Sequence, residues 1–160
     1  MVKVNLIVVG NLKEAYLRDA QNEYLKRLSR YVKIEIIEVN EAKIVSFDNL
    51  QLMNKTLDEE GDNVLKHIKN NDYLYLVDLH GKEIDSEAFA DSMQKNIDNG
   101  ASTIDFVIGG TLGLSDKLRE RANYKISLSK LTFPHQLTRI VVLEQIYRAC
   151  KINNNESYHH

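Results

Sequence analysis

Two spacings of apolar residues alternate along the chain. Val2–Val9 (VKVNLIVV) is an apolar run that stops at Gly10, as a strand does. A helix follows through about Tyr31, with Leu17, Ala20, Tyr24, Leu28 and Tyr31 on one stripe at three- and four-residue spacing. From Val32 to Val39 the period falls to two, with Val32, Ile34 and Ile36 set against Lys33 and Glu35. That alternation predicts a strand with one solvated face, near a sheet edge. Asp48 is suited to cap a second helix whose buried stripe is Leu50, Met53, Leu57, Val64 and Ile68, with Gly61 as a potential break. Tyr73–Leu79 is nearly all apolar, a strand covered on both faces. Asp85 opens a third helix with Phe89, Met93 and Ile97 inward, closed by Asn99-Gly100. Ile104–Ile108 is another buried strand, Leu114–Asn123 a short basic helix and Tyr124–Leu128 a fifth strand. The last helix runs from about Pro134, a good first-turn residue, to Ile152.

Repeated strand–helix units of this length predict one α/β domain over residues 1–160, with a mainly parallel sheet and helices on both faces. The last helix departs from a simple amphipathic pattern. Leu137, Ile140, Val141, Val142, Leu143, Ile146 and Tyr147 cover more than one stripe, so it is buried on several sides. Either a subunit interface covers the excess, or the helix lies deep within its own domain.

Composition narrows the class. With 43% hydrophobic and 28% charged residues the chain has the balance of a globular protein rather than a disordered one. No apolar run approaches the roughly 18–20 residues needed to span a bilayer, and the opening strand lacks a signal peptide's basic start. The single cysteine, Cys150, excludes an internal disulfide and fits a reducing cytoplasm. Five scattered histidines give no metal-ligand spacing. The net charge of −2 argues against a polyanion partner until its distribution is considered. Residues 115–160 carry a net +4, so nucleic acid would meet the C-terminal third.

Three segments are candidates for chemistry. Val107-Ile108-Gly109-Gly110-Thr111-Leu112-Gly113-Leu114 puts glycines where a strand gives way to a helix, a place for close backbone approach to a ligand or simply a tight turn. It has neither the Lys-Ser/Thr of a phosphate loop nor a GxGxxG fingerprint. Ser127 to Gln136 offers amides, hydroxyls and the Phe133 ring to a purine nucleoside; alternatively Thr132 caps the helix and Phe133 packs. His135 alone reads as structural. The tail Glu156-Ser157-Tyr158-His159-His160 is the third, although tails are commonly disordered and terminal histidines can be tag remnants.

In this order and spacing the chain resembles the bacterial 23S rRNA pseudouridine N3-methyltransferases of the SPOUT class. The resemblance runs from VVGNLKEAY through IEIIEV, HGK and VIGGTLGL to SLSKLTFPHQLTRIVVLEQIYRA and the terminal SYHH. It implies a cytoplasmic homodimer whose C-terminal part is threaded into a trefoil knot, a path that ordinary topology rules disfavour. It also implies an S-adenosyl-L-methionine pocket made by Val77, by Gly109, Gly110 and Gly113 of the glycine turn, and by Leu128, Ser129, Lys130, Leu131, Thr132 and Phe133. The implied substrate is a pseudouridine in helix 69 of 23S rRNA within the assembled 70S ribosome.

The family's tail, a Tyr-His pair followed by a basic residue, is expected to reach the active site across the dimer. Tyr158 and His159 match it as catalytic residues, His159 removing a proton or orienting the base, with Arg148 beside them. Arg139 and Arg148 are either phosphate or pocket contacts or partners of Glu144. Lys117, Arg119, Arg121 and Lys125 form either a phosphate-binding patch or a solvated face. His160 stands where the family has Lys or Arg, and a neutral imidazole is the weaker phosphate partner. That departure supports a second expectation, a paralogue that binds cofactor and ribosome without turnover. A third, an unrelated nucleotide-binding α/β enzyme, lacks its expected phosphate signatures.

Overall fold

The computed structural model describes residues 1–43 and 47–160. Five strands, β1 (Lys3–Val9), β2 (Lys33–Val39), β3 (Tyr73–Glu83), β4 (Thr103–Ile108) and β5 (Tyr124–Ser127), form one parallel sheet in the order β2-β1-β4-β3-β5. The period-two strand β2 is at an edge, and the apolar runs β1 and β4 are central. Helices α1 (Ala15–Leu28), α3 (Ser86–Asp98) and α5 (His135–Asn153) cover one face, sealing Val4, Leu6, Val8, Ile104 and Phe106. Helices α2 (Leu50–Leu65) and α4 (Asp116–Arg121) cover the other, over Ile7, Val9, Leu74, Leu76 and Val107. Alternate residues of each strand thus feed opposite cores, as the pleat requires. Tyr75 stacks on Phe106 with centroids 4.9 Å apart, its hydroxyl bonded to Ser92 and Asn96.

Several boundaries depart from expectation. Asn49, not Asp48, caps α2 by accepting a bond from the Leu52 amide at 3.1 Å. Gly61 does not break α2; a Cβ there would collide with the Ser115 hydroxyl, so glycine lets α2 and α4 close together. The expected α2 stripe is buried only towards its end. Val64 is sealed, whereas Leu50 is 70% exposed, and Thr56, Glu60 and Gly61 are the buried residues between. Helix α1 stops at Leu28, three residues before Tyr31, and α4 is shorter than Leu114–Asn123 because Ser115 caps it. Pro134 sits at the cap of α5 instead of in its first turn, and no side chain caps that helix, so Thr132 does not. Helix α5 packs between α1 and α3 and buries Val142, Leu143 and Ile146 there, while Leu137 remains 40% exposed.

The β3–β5 crossing controls everything downstream. Strand β3 runs four residues past Leu79, and Ile126 is paired by Val77 on one side of an irregularity and by Lys82 on the other. Gly81 lies so close that a Cβ would sit 2.7 Å from the Lys125 carbonyl. The end of β3 therefore bends closely over β5. At the opposite, amino end of the strands lies a buried polar pair: Asn5 Nδ2 donates to Asp105 Oδ1 at 3.0 Å, with neither residue more than 4% exposed.

Candidate active site

All five strands point the same way, so their carboxyl ends bring three loops together. These follow β3 at Val77, β4 at Ile108 and β5 at Ser127. They enclose a cleft of about 320 Å³. Val77, Gly109, Gly110, Gly113, Leu128, Ser129, Leu131, Thr132 and Phe133 all line it. Of the residues expected here only Lys130 does not; its side chain is exposed.

The glycine turn is tight for a stated reason. Gly113 adopts φ 94°, its amide bonds the Gly110 carbonyl at 3.1 Å, and a Cβ on Gly109 would collide with the Gly113 carbonyl. Glu41 anchors the turn from outside by accepting the Thr111 amide at 3.0 Å. Bonds from the Thr111 hydroxyl and amide hold its carboxyl below the usual range. The loop after β5 is fixed from within: Ser127 Oγ donates to the Ser129 carbonyl and Ser129 Oγ accepts from the Leu131 amide. His135 lines the cleft from the start of α5.

A second cavity of about 430 Å³ adjoins the cleft, sharing Val77, Leu128 and Phe133, and His159 forms part of its wall. The tail packs on α5 and α3 of its own chain. Glu156 bridges Lys151 Nζ at 2.8 Å and the Tyr31 hydroxyl at 2.9 Å, with Asn155 at φ 55° turning the chain. Tyr158 then donates to Glu144 Oε2 at 2.7 Å, and Arg148 Nε donates to Oε1 of the same carboxylate at 2.8 Å. The Arg148 guanidinium lies 4.8 Å from the Tyr158 ring centre and contacts His159 Nδ1 at 3.1 Å. The bond to Glu144 and burial push the Tyr158 phenol up to about 12, so it stays a donor near neutrality.

The basic residues sort differently from expectation. Arg139 is only 2% exposed; it bonds Glu38 at 2.8 Å and Gln21 at 3.0 Å, so its partner is neither Glu144 nor solvent. Arg121 clamps the Lys69 and Asp72 carbonyls. Lys117 pairs with Asp62 at 3.2 Å on the surface, and Arg119 turns into the cleft to meet Asp78. Lys125, Lys130 and His160 are exposed. Asp78, Glu87 and Gln145 were not anticipated. Asp78 alone had a signal, being the acid within the apolar end of YLYLVDL.

Comparison with known proteins explains why these loops converge. The family model described as "Predicted SPOUT methyltransferase" matches residues 2–159. The chain belongs to the SPOUT methyltransferase family. Its relatives include the ribosomal RNA large subunit methyltransferase H of Clostridium botulinum strain Loch Maree, 49% identical over 99% of both chains. The protein of the same description from Clostridium acetobutylicum is 48% identical, also over 99% of both. In this SPOUT chain the cleft and the tail cavity lie side by side at the converging loops. No helix among the described residues is long and apolar enough to cross a membrane.

Proposed function

We propose that this SPOUT protein is a cytoplasmic homodimer that uses S-adenosyl-L-methionine to methylate N3 of a pseudouridine in helix 69 of 23S rRNA, in the assembled 70S ribosome. The observation that carries the proposal is the cleft itself, whose apolar walls and hydroxyl-bearing loop adjoin a cavity walled in part by His159 of the tail. Relatives 49% identical over nearly their whole length are rRNA methyltransferases by description, which supports the substrate class. The bend of β3 over β5 supports a threaded, knotted path. The exposed Leu137 and half-buried Ile140 and Val141 support a dimer through α5.

The residues present fit the cofactor. Val77, Leu128, Leu131 and Phe133 offer apolar contact to a purine, and the Ser129 and Thr132 hydroxyls with the turn around Gly109, Gly110 and Gly113 offer polar contact. When bound, the cofactor supplies an electrophilic methyl group on a sulfonium. The protein's task is to hold the base in line and handle the N3 proton. An arginine only donates, so Arg148 takes the lone pair of His159 Nδ1 and leaves Nε2 carrying the proton. In this arrangement His159 orients the base by donating from Nε2 rather than removing its proton. Tyr158, held protonated on Glu144, fixes by its ring the Arg148 that contacts His159.

The test is transfer of labelled methyl from S-adenosyl-L-methionine to 70S ribosomes lacking the modification. Label in the large-subunit rRNA supports the proposal. Cofactor binding with no transfer would favour the second reading, a SPOUT paralogue that binds without turnover, for which His160 in place of a basic residue speaks.

A further inference from the structure

The expected RNA-facing patch of α4 contains one cation that faces the wrong way for RNA. Arg119 lines the cleft beside Asp78, with Nε 3.3 Å from Asp78 Oδ2. Its Nη1 donates to the Leu114 carbonyl at 3.1 Å, at the end of the glycine turn, and lies 3.7 Å from Asp116. Asp78 is 5% exposed, and its Oδ1 accepts the His80 amide at 3.0 Å.

Asp78 is almost wholly buried whereas the Arg119 side chain is 38% exposed, so a pair with one desolvated charge is a poor way to gain stability. The desolvation cost offsets the attraction, and an apolar pair of similar size often serves as well. A cleft that keeps such a pair on its wall has a use for separated charges. Arg119 has five N–H donors, of which Nε and one on Nη1 are engaged, and each Asp78 oxygen retains a lone pair. Side by side they present a cation and an anion to whatever fills the space. The chemical group that matches is a zwitterion, an α-amino acid end with its carboxylate and ammonium on one carbon.

We propose that Asp78 and Arg119 bind the amino-acid end of the cofactor, the carboxylate on Arg119 and the ammonium on Asp78. The inference rests on the cofactor reading given above and adds the residues that distinguish a nucleoside with an amino-acid end from one without. The apolar loops hold the nucleoside; the ion pair selects what is attached to it.

Isothermal titration with two probes tests this. S-adenosylhomocysteine carries the amino-acid end, and 5′-methylthioadenosine lacks it. For Arg119→Gln, affinity for S-adenosylhomocysteine is expected to fall about ten- to a hundred-fold, the worth of one or two charge-assisted bonds, with 5′-methylthioadenosine changed less than about twofold. Asp78→Asn gives the same selective loss, and Arg119→Lys, which keeps a cation, recovers part of the affinity. Equal weakening of both probes would mean that Arg119 only braces the glycine turn, and unchanged binding of S-adenosylhomocysteine would equally overturn the proposal. If the wild-type protein binds neither probe, the cofactor reading itself falls, and this inference with it. Melting temperatures of the variants, measured alongside, separate selective loss from misfolding.

Discussion

Asp105 is an acid in the middle of a buried strand, and replacing it by asparagine should make the protein more stable at neutral pH. Its side chain is fully buried on β4, Oδ1 accepts from Asn5, and Oδ2 is a buried atom without a partner when the group is ionised. Burial first, then a hydrogen bond to the Asp72 carboxylate, push its pKa up from 3.8 to about 7, partly opposed by Asn5 and Arg121. A folded value above the unfolded one means that folding favours the protonated acid. The associated stability is complete below about pH 4, is lost progressively as pH rises to about 7, and stays lost above it. At about 1.4 kcal/mol per unit, a rise of this size makes the swing a few kcal/mol, shared with the neighbouring Asp72 carboxyl. Asparagine never ionises, can accept from Asn5 and can donate to Asp72 as the protonated acid does. Urea unfolding of both proteins at pH 4, 5, 6, 7 and 8, at one fixed protein concentration, gives the difference between them. That difference should grow in favour of Asp105→Asn from pH 4 to 7 and then level off, because groups remote from Asp105 and Asp72 titrate alike in both. A difference that stays constant across the series would refute the reasoning.

Gly81→Ala should destabilise the fold by about 1–3 kcal/mol, because the added methyl meets the Lys125 backbone, which cannot rotate away; the urea midpoint reports it. Asn49→Ala should remove about 1 kcal/mol by leaving the Leu52 amide without its cap, seen as a lower melting temperature. Tyr158→Phe keeps the ring against Arg148 and Tyr147 but loses the bond to Glu144. Methyl transfer should fall by about tenfold or more, while calorimetric affinity for S-adenosyl-L-methionine stays within about twofold. A parallel loss of cofactor affinity would show that Tyr158 serves the cleft instead of the transfer.

The alternation of apolar periods revealed the five strands, because a strand's two faces and a helix's stripe write different spacings. The solvated face of Lys33 and Glu35 even identified β2 as an edge. The same signal failed at α2. A stripe names the face that is apolar, not what covers it, and Leu50 and Leu52 begin the helix in solvent. Nothing local could announce that Arg139 would meet Glu38, 101 residues earlier, or that Asp105 would be sealed against Asn5 across a strand pair. The bend of β3 over β5 was equally silent, since Gly81 looks like any loop glycine until Lys125 lies against it. The segments that converge on the cleft are those that carry the family resemblance. The pairing of Asp78 with Arg119 in the cleft was not legible, because an acid in a strand and a base in a charged helix have commoner explanations.

The most direct measurement is the position of the methyl group after reaction with 70S ribosomes lacking it. The rRNA is digested and the helix 69 fragment sequenced by mass spectrometry. The account predicts one added methyl, on N3 of a pseudouridine in that stem-loop. A methyl on any other nucleotide, with helix 69 unmodified, would contradict it.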